Sequence, residues 1–247
     1  MRAPLPTRMA PSPTTLRSSF ALRRIALLEG LSDQRLDLLA QQCLWHSVEA
    51  GTPLLLRAEQ QGDVFLLVSG RVRVTTYSAN GRQVTFRDSE AGEHFGDIAA
   101  IDGGPRSADV VTLEPSVLAS LDRTAFMALL REEPAVAERV MRRLASLVRQ
   151  LSERVIDLST LGVQNRLHAE LLRLARATGV EGNQARLEPA PKHAALASQI
   201  STNREQVTRE LNVLVRSGVL QKDGKALLVA DAARLERMVS QVRGDAG

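Results

Sequence analysis

The sequence predicts an α+β chain: a jelly-roll-like β-barrel toward the N-terminus, one long helix, and a winged helix-turn-helix toward the C-terminus. Three observations lead there. Between about residues 45 and 121, apolar residues come in short runs punctuated by glycines at 51, 62, 70, 81, 92, 96, 103 and 104. A strict heptad spacing follows, and the last third turns basic and α-rich around a small hairpin signal. A length of 247 residues leaves room for two modest domains, each burying its own core. The changes of period set the expected boundaries. Residues 1–20 form a basic, proline-containing stretch expected to be disordered, and 21–133 form the barrel domain. Residues 134–162 are the long helix and hinge, and 163–247 the helix-turn-helix domain.

Taken in order, Ala21 to Leu44 carries a helical pattern, with Leu27, Leu28, Leu31, Leu36, Leu38 and Leu39 apolar and Ser32 placed as an N-cap. Val64–Val68, Val72–Thr76 and Val84–Phe86 read as strands, and Asn80-Gly81 is a tight-turn signal between two of them. Short strands at this spacing suit a sandwich or barrel. Ala137, Met141, Leu144, Val148, Leu151, Val155, Leu158 and Gly162 are spaced alternately four and three apart. This is a coiled-coil seam, narrower than the stripe of a helix packed on its own domain, and it predicts a homodimer through Met141, Leu144, Val148, Leu151, Val155 and Leu158. Beyond it, Leu167–Ala175 gives one helix and a second starts near Pro191. A third runs from about Asn203 to Ser217 before Gly218, and Val219–Val229 forms a wing hairpin. A last helix covers about Ala232–Val242.

Composition narrows the function classes. An apolar fraction of 44% is ordinary for a globular chain, and no apolar run approaches the roughly 18 residues of a membrane span. The single cysteine, Cys43, makes no intramolecular disulfide or cluster, and His46, His94, His168 and His193 show no ligand spacing. No metal or cofactor is expected, nor a catalytic nucleophile with its base, and a cytoplasmic setting is. Residues 1–163 hold 19 basic and 19 acidic residues, whereas 164–247 hold 13 and 9. The whole excess lies where a polyanion partner would bind.

The stretch from Leu196 to Val207 has the form of a helix-turn-helix. Leu196, Ile200 and Val207 are spaced to bury together, and Ala197 is small where two helices would cross. Thr202 with Glu205 reads as a capping box that starts the second helix. That helix would carry Thr202, Asn203, Arg204, Glu205, Gln206 and Arg209 to double-stranded DNA, where Arg pairs with guanine and Glu accepts from cytosine. Ser201 fills the turn position where glycine is usual, and a left-handed backbone there would cost on the order of 1 kcal/mol.

Over nearly its whole length after residue 20, the chain resembles the cyclic-AMP receptor protein/fumarate-nitrate regulator family. Arg204-Glu205-Gln206-Val207-Thr208-Arg209 matches its recognition-helix pattern, which implies base contacts for Arg204, Glu205 and Arg209. Phe95-Gly96-Asp97-Ile98-Ala99-Ala100, followed by Pro105-Arg106-Ser107-Ala108, looks like the phosphate-binding cassette of cyclic-nucleotide domains. Gly96 permits close backbone approach and opens a short helix, and Arg106 offers a two-pronged contact to a cyclic phosphate with Ser107 adding a hydroxyl. Asp97, where the family has glutamate, would accept from the ribose 2′-hydroxyl. The resemblance places Val84, Phe86, Phe95, Gly96, Asp97, Ile98, Arg106, Ser107 and Ser152 around the ligand. Leu151-Ser152 stands where the receptor protein has the Thr-Ser pair that reaches the base. Ser152 can still bond a base and Leu151 cannot, so cyclic AMP is read first and cyclic GMP second. Palindromic DNA and RNA polymerase are the implied partners. Two rivals stay open: a regulator of the same fold that ignores nucleotides or senses another effector such as a cyclic dinucleotide, and an enzyme with a regulatory nucleotide domain, for which no stretch is left over.

Overall fold

The computed structural model describes residues 18–77 and 83–243. The expected Asn80-Gly81 turn and residues 1–17 lie outside them. The described chain divides into two compact units. The first holds residues up to 77 together with 85–146. The second holds 83–84 and everything from 147 onward.

Two four-stranded sheets build the first unit. One has the order β1 (Leu44–Val48), β8 (Ser116–Leu121), β3 (Val64–Ser69), β6 (His94–Phe95). The other runs β2 (Pro53–Leu55), β7 (Asp109–Thr112), β4 (Arg71–Tyr77), β5 (Gln83–Glu90). Between them lie Val48, Leu55, Phe65, Leu67, Val72, Phe95, Val110 and Leu118. The opposite face of the first sheet presents Trp45, Val64, Leu66, Ala119 and Leu121 to a helical layer. That sheet is covered on both faces, which is why Val64–Leu67 is an unbroken buried run instead of an alternating one. Leu66 and Leu67, fully buried on opposite faces, each contribute about 1.5–3 kcal/mol by leaving water.

The helical layer corrects the expected continuous helix from Ala21 to Leu44. A short α1 (Ser19–Leu22) and a 3₁₀ turn at Ala26–Leu28 precede α2 (Asp33–Gln42), and Leu44 already belongs to β1. Gly30 takes a left-handed conformation with φ 78°, and the Ser32 hydroxyl then caps α2 by accepting from the Arg35 N–H at 3.2 Å. Helical structure starts at Ser19, inside the stretch expected to be disordered, because Leu22 is drawn into the core. Asp122 caps α4 (Arg123–Glu132), accepting from Ala125 N–H. Next, α5 (Pro134–Thr160) opens with proline at its first position, where no N–H is needed. No helix among the described residues is long and apolar enough to cross a membrane.

The second unit takes the rest of α5. It continues with α6 (Val163–Thr178), β9 (Ala185–Leu187), α7 (His193–Gln199), α8 (Arg204–Arg216), β10 (Leu220–Asp223), β11 (Ala226–Val229) and α9 (Ala232–Arg243). The expected wing hairpin is β10–β11, and β9 adds a third strand beside β11. Leu167, Leu171, Leu196, Ile200, Val207, Leu211, Leu214, Val219 and Leu235 form its core. Gly218, at φ 76°, stops α8, with its N–H on the Val215 carbonyl and that of Val219 on Leu214.

Candidate functional site

In the first unit, β6 delivers the chain to Gly96, whose φ of 88° turns it into α3 (Asp97–Asp102). A Cβ at this position would stand 2.7 Å from the Asp63 carbonyl oxygen and 2.9 Å from Arg106 Nη1, so only glycine fits. Arg106 is 3% exposed. Its Nη1 donates to the Gly96 carbonyl at 3.0 Å, while Nε and Nη2 are buried with no hydrogen-bond partner. Burial pulls its proton affinity down, against the opposing pull of Asp63 and Glu59. A buried cation with unmet N–H groups is costly, and an anion presenting two oxygens answers both at once.

The backbone fixes this arginine in place. Arg106 N–H donates to the Glu59 carbonyl and Ala58 N–H to the Arg106 carbonyl, both at 2.9 Å. Ala58 itself sits at φ 70°, an uncommon conformation for a residue with a Cβ. Arg57, Ala58, Pro105, Arg106 and Ser107 line a cavity of roughly 430 Å³, within the range of small-ligand sites. Ser107 is exposed at its edge. Arg57 was not among the expected contacts.

Asp97, on the first turn of α3, is buried and already engaged. Its Oδ2 accepts from Arg143 Nη1 at 2.5 Å, and Arg143 Nη2 donates to the His94 carbonyl at 2.9 Å. His94 Nε2 stands 3.6 Å from the same carboxylate oxygen. Burial alone would raise the Asp97 carboxyl, but His94 and Arg143 hold it well below the usual carboxylate range. Burial also keeps His94 neutral by lowering its pKa. Gly96, Asp97, Arg106 and Ser107 therefore come together, with Ile98 half-buried behind them. Phe95, expected at the ligand, is a core residue instead, 2% exposed and stacked on Phe65 at 5.3 Å. On β5, Val84 is half-buried and Phe86 is 40% exposed. Ser152 belongs to the second unit, exposed on α5, its hydroxyl donating to the Val148 carbonyl at 3.0 Å.

The seam residues of α5 lack apolar cover in the single chain. Met141, Val148 and Val155 are more than 60% exposed, and Leu151 and Leu158 are 41% exposed, whereas Leu144 packs partly on the first core. Ile156, outside the heptad spacing, is also exposed at 59% and widens the stripe.

In the second unit, Ser201 does adopt the left-handed conformation, at φ 56°. The expected capping box is displaced by one residue. Asn203 is the N-cap of α8, its side chain accepting from Gln206 N–H at 2.8 Å. Thr202, expected at the DNA, is buried and donates its hydroxyl to Gln206 Oε1. The left-handed turn at Ser201 aims Thr202 inward, which leaves Asn203, Arg204, Glu205 and Arg209 exposed and Gln206 half-buried. Three features have no local sequence signal. His193 Nδ1 meets Thr208 Oγ1 at 2.7 Å, joining α7 to α8. Arg154 Nη2 donates to the Gln199 carbonyl at 2.8 Å, and Arg166 Nε to that of Ile200 at 3.0 Å.

Comparison with known proteins falls on the same two regions. A model of the cyclic nucleotide-binding domain matches residues 45–133, and one of the Crp-like helix-turn-helix domain matches residues 165–238. The cyclic AMP receptor protein of Thermus thermophilus is 31% identical over 215 residues, covering 86% of this chain and 95% of that protein. A CRP-like cAMP-activated global transcriptional regulator of Mycobacterium tuberculosis is 25% identical over 217 residues, covering 87% and 97%. Among solved structures, a CooA mutant from Carboxydothermus hydrogenoformans superposes with a TM-score of 0.75 at 21% identity, covering 94% of this chain and 98% of that one. The c-di-GMP responsive regulator CLP of Xanthomonas campestris gives 0.69 at 17%, covering 80% and 99%. At these identities the two structures establish the fold alone.

Proposed function

Because the chain belongs to the cyclic-AMP receptor protein/fumarate-nitrate regulator family of DNA-binding transcription regulators, we propose that it acts as a homodimer whose hold on DNA is set by a cyclic nucleotide, cyclic AMP first and cyclic GMP second. The single observation that carries the effector reading is Arg106, a buried guanidinium with two N–H positions unmet beside the glycine turn of α3. A cyclic phosphate would take those donors, with Ser107 at the rim and the ribose hydroxyl on Asp97. By the family resemblance, Ser152 is the residue that would bond the base.

The dimer reading rests on the uncovered stripe Met141, Val148, Leu151, Val155 and Leu158, which a second copy of α5 would bury. Pairing sets two recognition helices a fixed distance apart, so the target is a two-fold symmetric site with half-sites about one helical turn apart. Arg204, Glu205 and Arg209 would read base edges, with Asn203 and Gln206 beside them. A ligand binding one arrangement of the paired helices better than the other would shift the population that fits DNA. RNA polymerase, in the cytoplasm, is the further partner of such a regulator.

A second reading is an effector with more than one phosphate, such as a cyclic dinucleotide. It is favoured by Arg57, which places another cation in the Arg106 cavity, and by the effector named for the CLP structure. Calorimetric titration of the whole protein with cyclic AMP, cyclic GMP and cyclic di-GMP separates the readings. Arg106→Leu should abolish binding of the effector and leave the oligomeric state unchanged. Unchanged affinity in that variant would contradict the pocket assignment.

A further inference from the structure

His193, the first residue of α7, is half-buried against α8. Its Nδ1 lies 2.7 Å from Thr208 Oγ1, and the Thr208 hydroxyl donates to the Arg204 carbonyl at 2.9 Å. A hydroxyl has one proton to give, so the ring is the donor in the first bond and Nδ1 carries the hydrogen. Nε2 of the neutral ring is then a bare lone pair, and it becomes a donor only when the ring is protonated. Partial burial, Arg204 on α8 and Lys222 on β10 all hold the proton affinity of this ring below that of an ordinary histidine. Exposed Lys192 precedes it, and the Ala190 N–H ties the entry of α7 to the Lys225 carbonyl of the wing at 2.8 Å. The acids of this region are engaged elsewhere, Asp223 and Glu188 both pairing with Arg186, while Glu205 lies one residue further round α8 from Arg204 and is exposed.

We propose that His193 makes DNA binding proton-linked: a phosphate diester docks on its Nε2 edge among Lys192, Arg204 and Lys222, and the ring takes up a proton to complete that contact. The inference rests on the reading of α8 as the recognition helix. In the free protein the neighbouring cations oppose a charge on the ring, and its neutral Nε2 offers a phosphate oxygen nothing but a lone pair. A docked phosphate reverses both conditions, because its negative charge offsets Arg204 and Lys222 and its oxygen accepts from the new N–H. The proton affinity of His193 is therefore higher in the complex than in the free protein. A group shifted in that direction strengthens the complex at low pH, and its contribution is lost as pH rises through the value in the complex. The contact is to the backbone, so it adds affinity without adding base preference.

The test measures affinity of the full chain for a duplex carrying its own selected site, from pH 6 to 8 and over a range of salt. Wild type is compared with His193→Asn, whose amide can keep the Thr208 bond without titrating, and with His193→Arg, which is charged throughout. Wild-type affinity should rise about tenfold or more from pH 8 to pH 6. Its salt dependence should steepen over the same range by about 0.9 in log–log slope per subunit, the signature of one more neutralised phosphate. His193→Asn should lose most of the pH dependence and keep the shallower slope at every pH. His193→Arg should bind at pH 8 with the steeper slope and little pH dependence, a rescue that a purely structural role for the ring would not give. Base preference should be the same in all three. Wild-type pH and salt dependence in His193→Asn, or no gain in slope at pH 8 in His193→Arg, would overturn the proposal while leaving DNA binding by α8 standing. A wild-type protein that selects no duplex would overturn the recognition-helix reading and the proposal with it.

Discussion

Arg166 joins two backbone carbonyls that lie far apart in sequence: Nη1 donates to Leu161 at 2.7 Å and Nε to Ile200 at 3.0 Å. One guanidinium thus ties the segment after α5 to the turn of the helix-turn-helix. Arg154, on α5 itself, adds a second tie to Gln199. These bonds hold the carbonyls at the end of α7, where the helix leaves its last acceptors unmet. Arg166→Ala should destabilise the second unit by about 2 kcal/mol, since charge-assisted bonds to partly buried carbonyls are lost. Differential scanning calorimetry checks this, and DNA affinity should fall while nucleotide affinity holds. An unchanged melting temperature would remove the clamp from the account.

Ser201 carries a backbone cost that glycine would not. At φ 56° its Cβ crowds the adjoining carbonyl, so Ser201→Gly should stabilise the protein by up to about 1 kcal/mol. The measurement is a denaturant midpoint at constant slope. A midpoint that stays put or falls would show that the serine side chain compensates the strain.

His168, on α6, is buried with both ring nitrogens unpartnered, and burial lowers its pKa from the ordinary 6.5. A depressed folded-state pKa means that the neutral ring is the folded form. Its contribution to stability is full above pH 6.5 and is lost progressively as pH falls below that value, because the unfolded chain takes up the proton first. His168→Leu should therefore melt at a higher temperature than wild type, and the gap should widen from pH 7.5 to pH 5.5. A constant gap would mean that the imidazole finds a partner when charged.

Val148 lies at the middle of the uncovered stripe, 63% exposed. Placing a charge there opposes pairing, because two arginines would face each other across a seam meant to be dry. Val148→Arg should sediment as a monomer at concentrations where wild type sediments as a dimer. Its DNA affinity should drop by about a hundredfold or more, as each half-site must then be bound alone. A dimeric Val148→Arg would place the subunit contact elsewhere.

What the sequence made legible was what repeats or stays local. The glycine-punctuated strands, the four-three spacing of α5, the Pro105-Arg106-Ser107 turn and the Leu196–Val207 hairpin all carry their signal within a few residues. Ser201 was readable because a missing glycine is itself a local anomaly. Thr202 was misplaced for the same reason: a capping box can be written on Thr202 or, one residue on, with Asn203 and Gln206, and only the direction in which the Ser201 turn sends the chain decides between them. The break at Gly30 was hidden because leucines on both sides keep a helical period across it. Phe95 belonged to a matching motif, yet its ring direction depends on Phe65, 30 residues earlier. The Asp97–Arg143 pair and the Arg154 and Arg166 ties bring together residues 46, 45 and 34 positions apart, and no local pattern records such distances.

The central claim is that an anion held by Arg106 is felt at the recognition helices. Selection of binding sites from random duplex DNA, run on the full protein without nucleotide, with cyclic AMP and with cyclic GMP, tests it most directly. The account predicts a two-fold symmetric motif that is enriched strongly only with a cyclic nucleotide, and that loses one base preference per half-site in Arg204→Ala, about 1–3 kcal/mol of discrimination. The same motif at equal strength with and without nucleotide would contradict it.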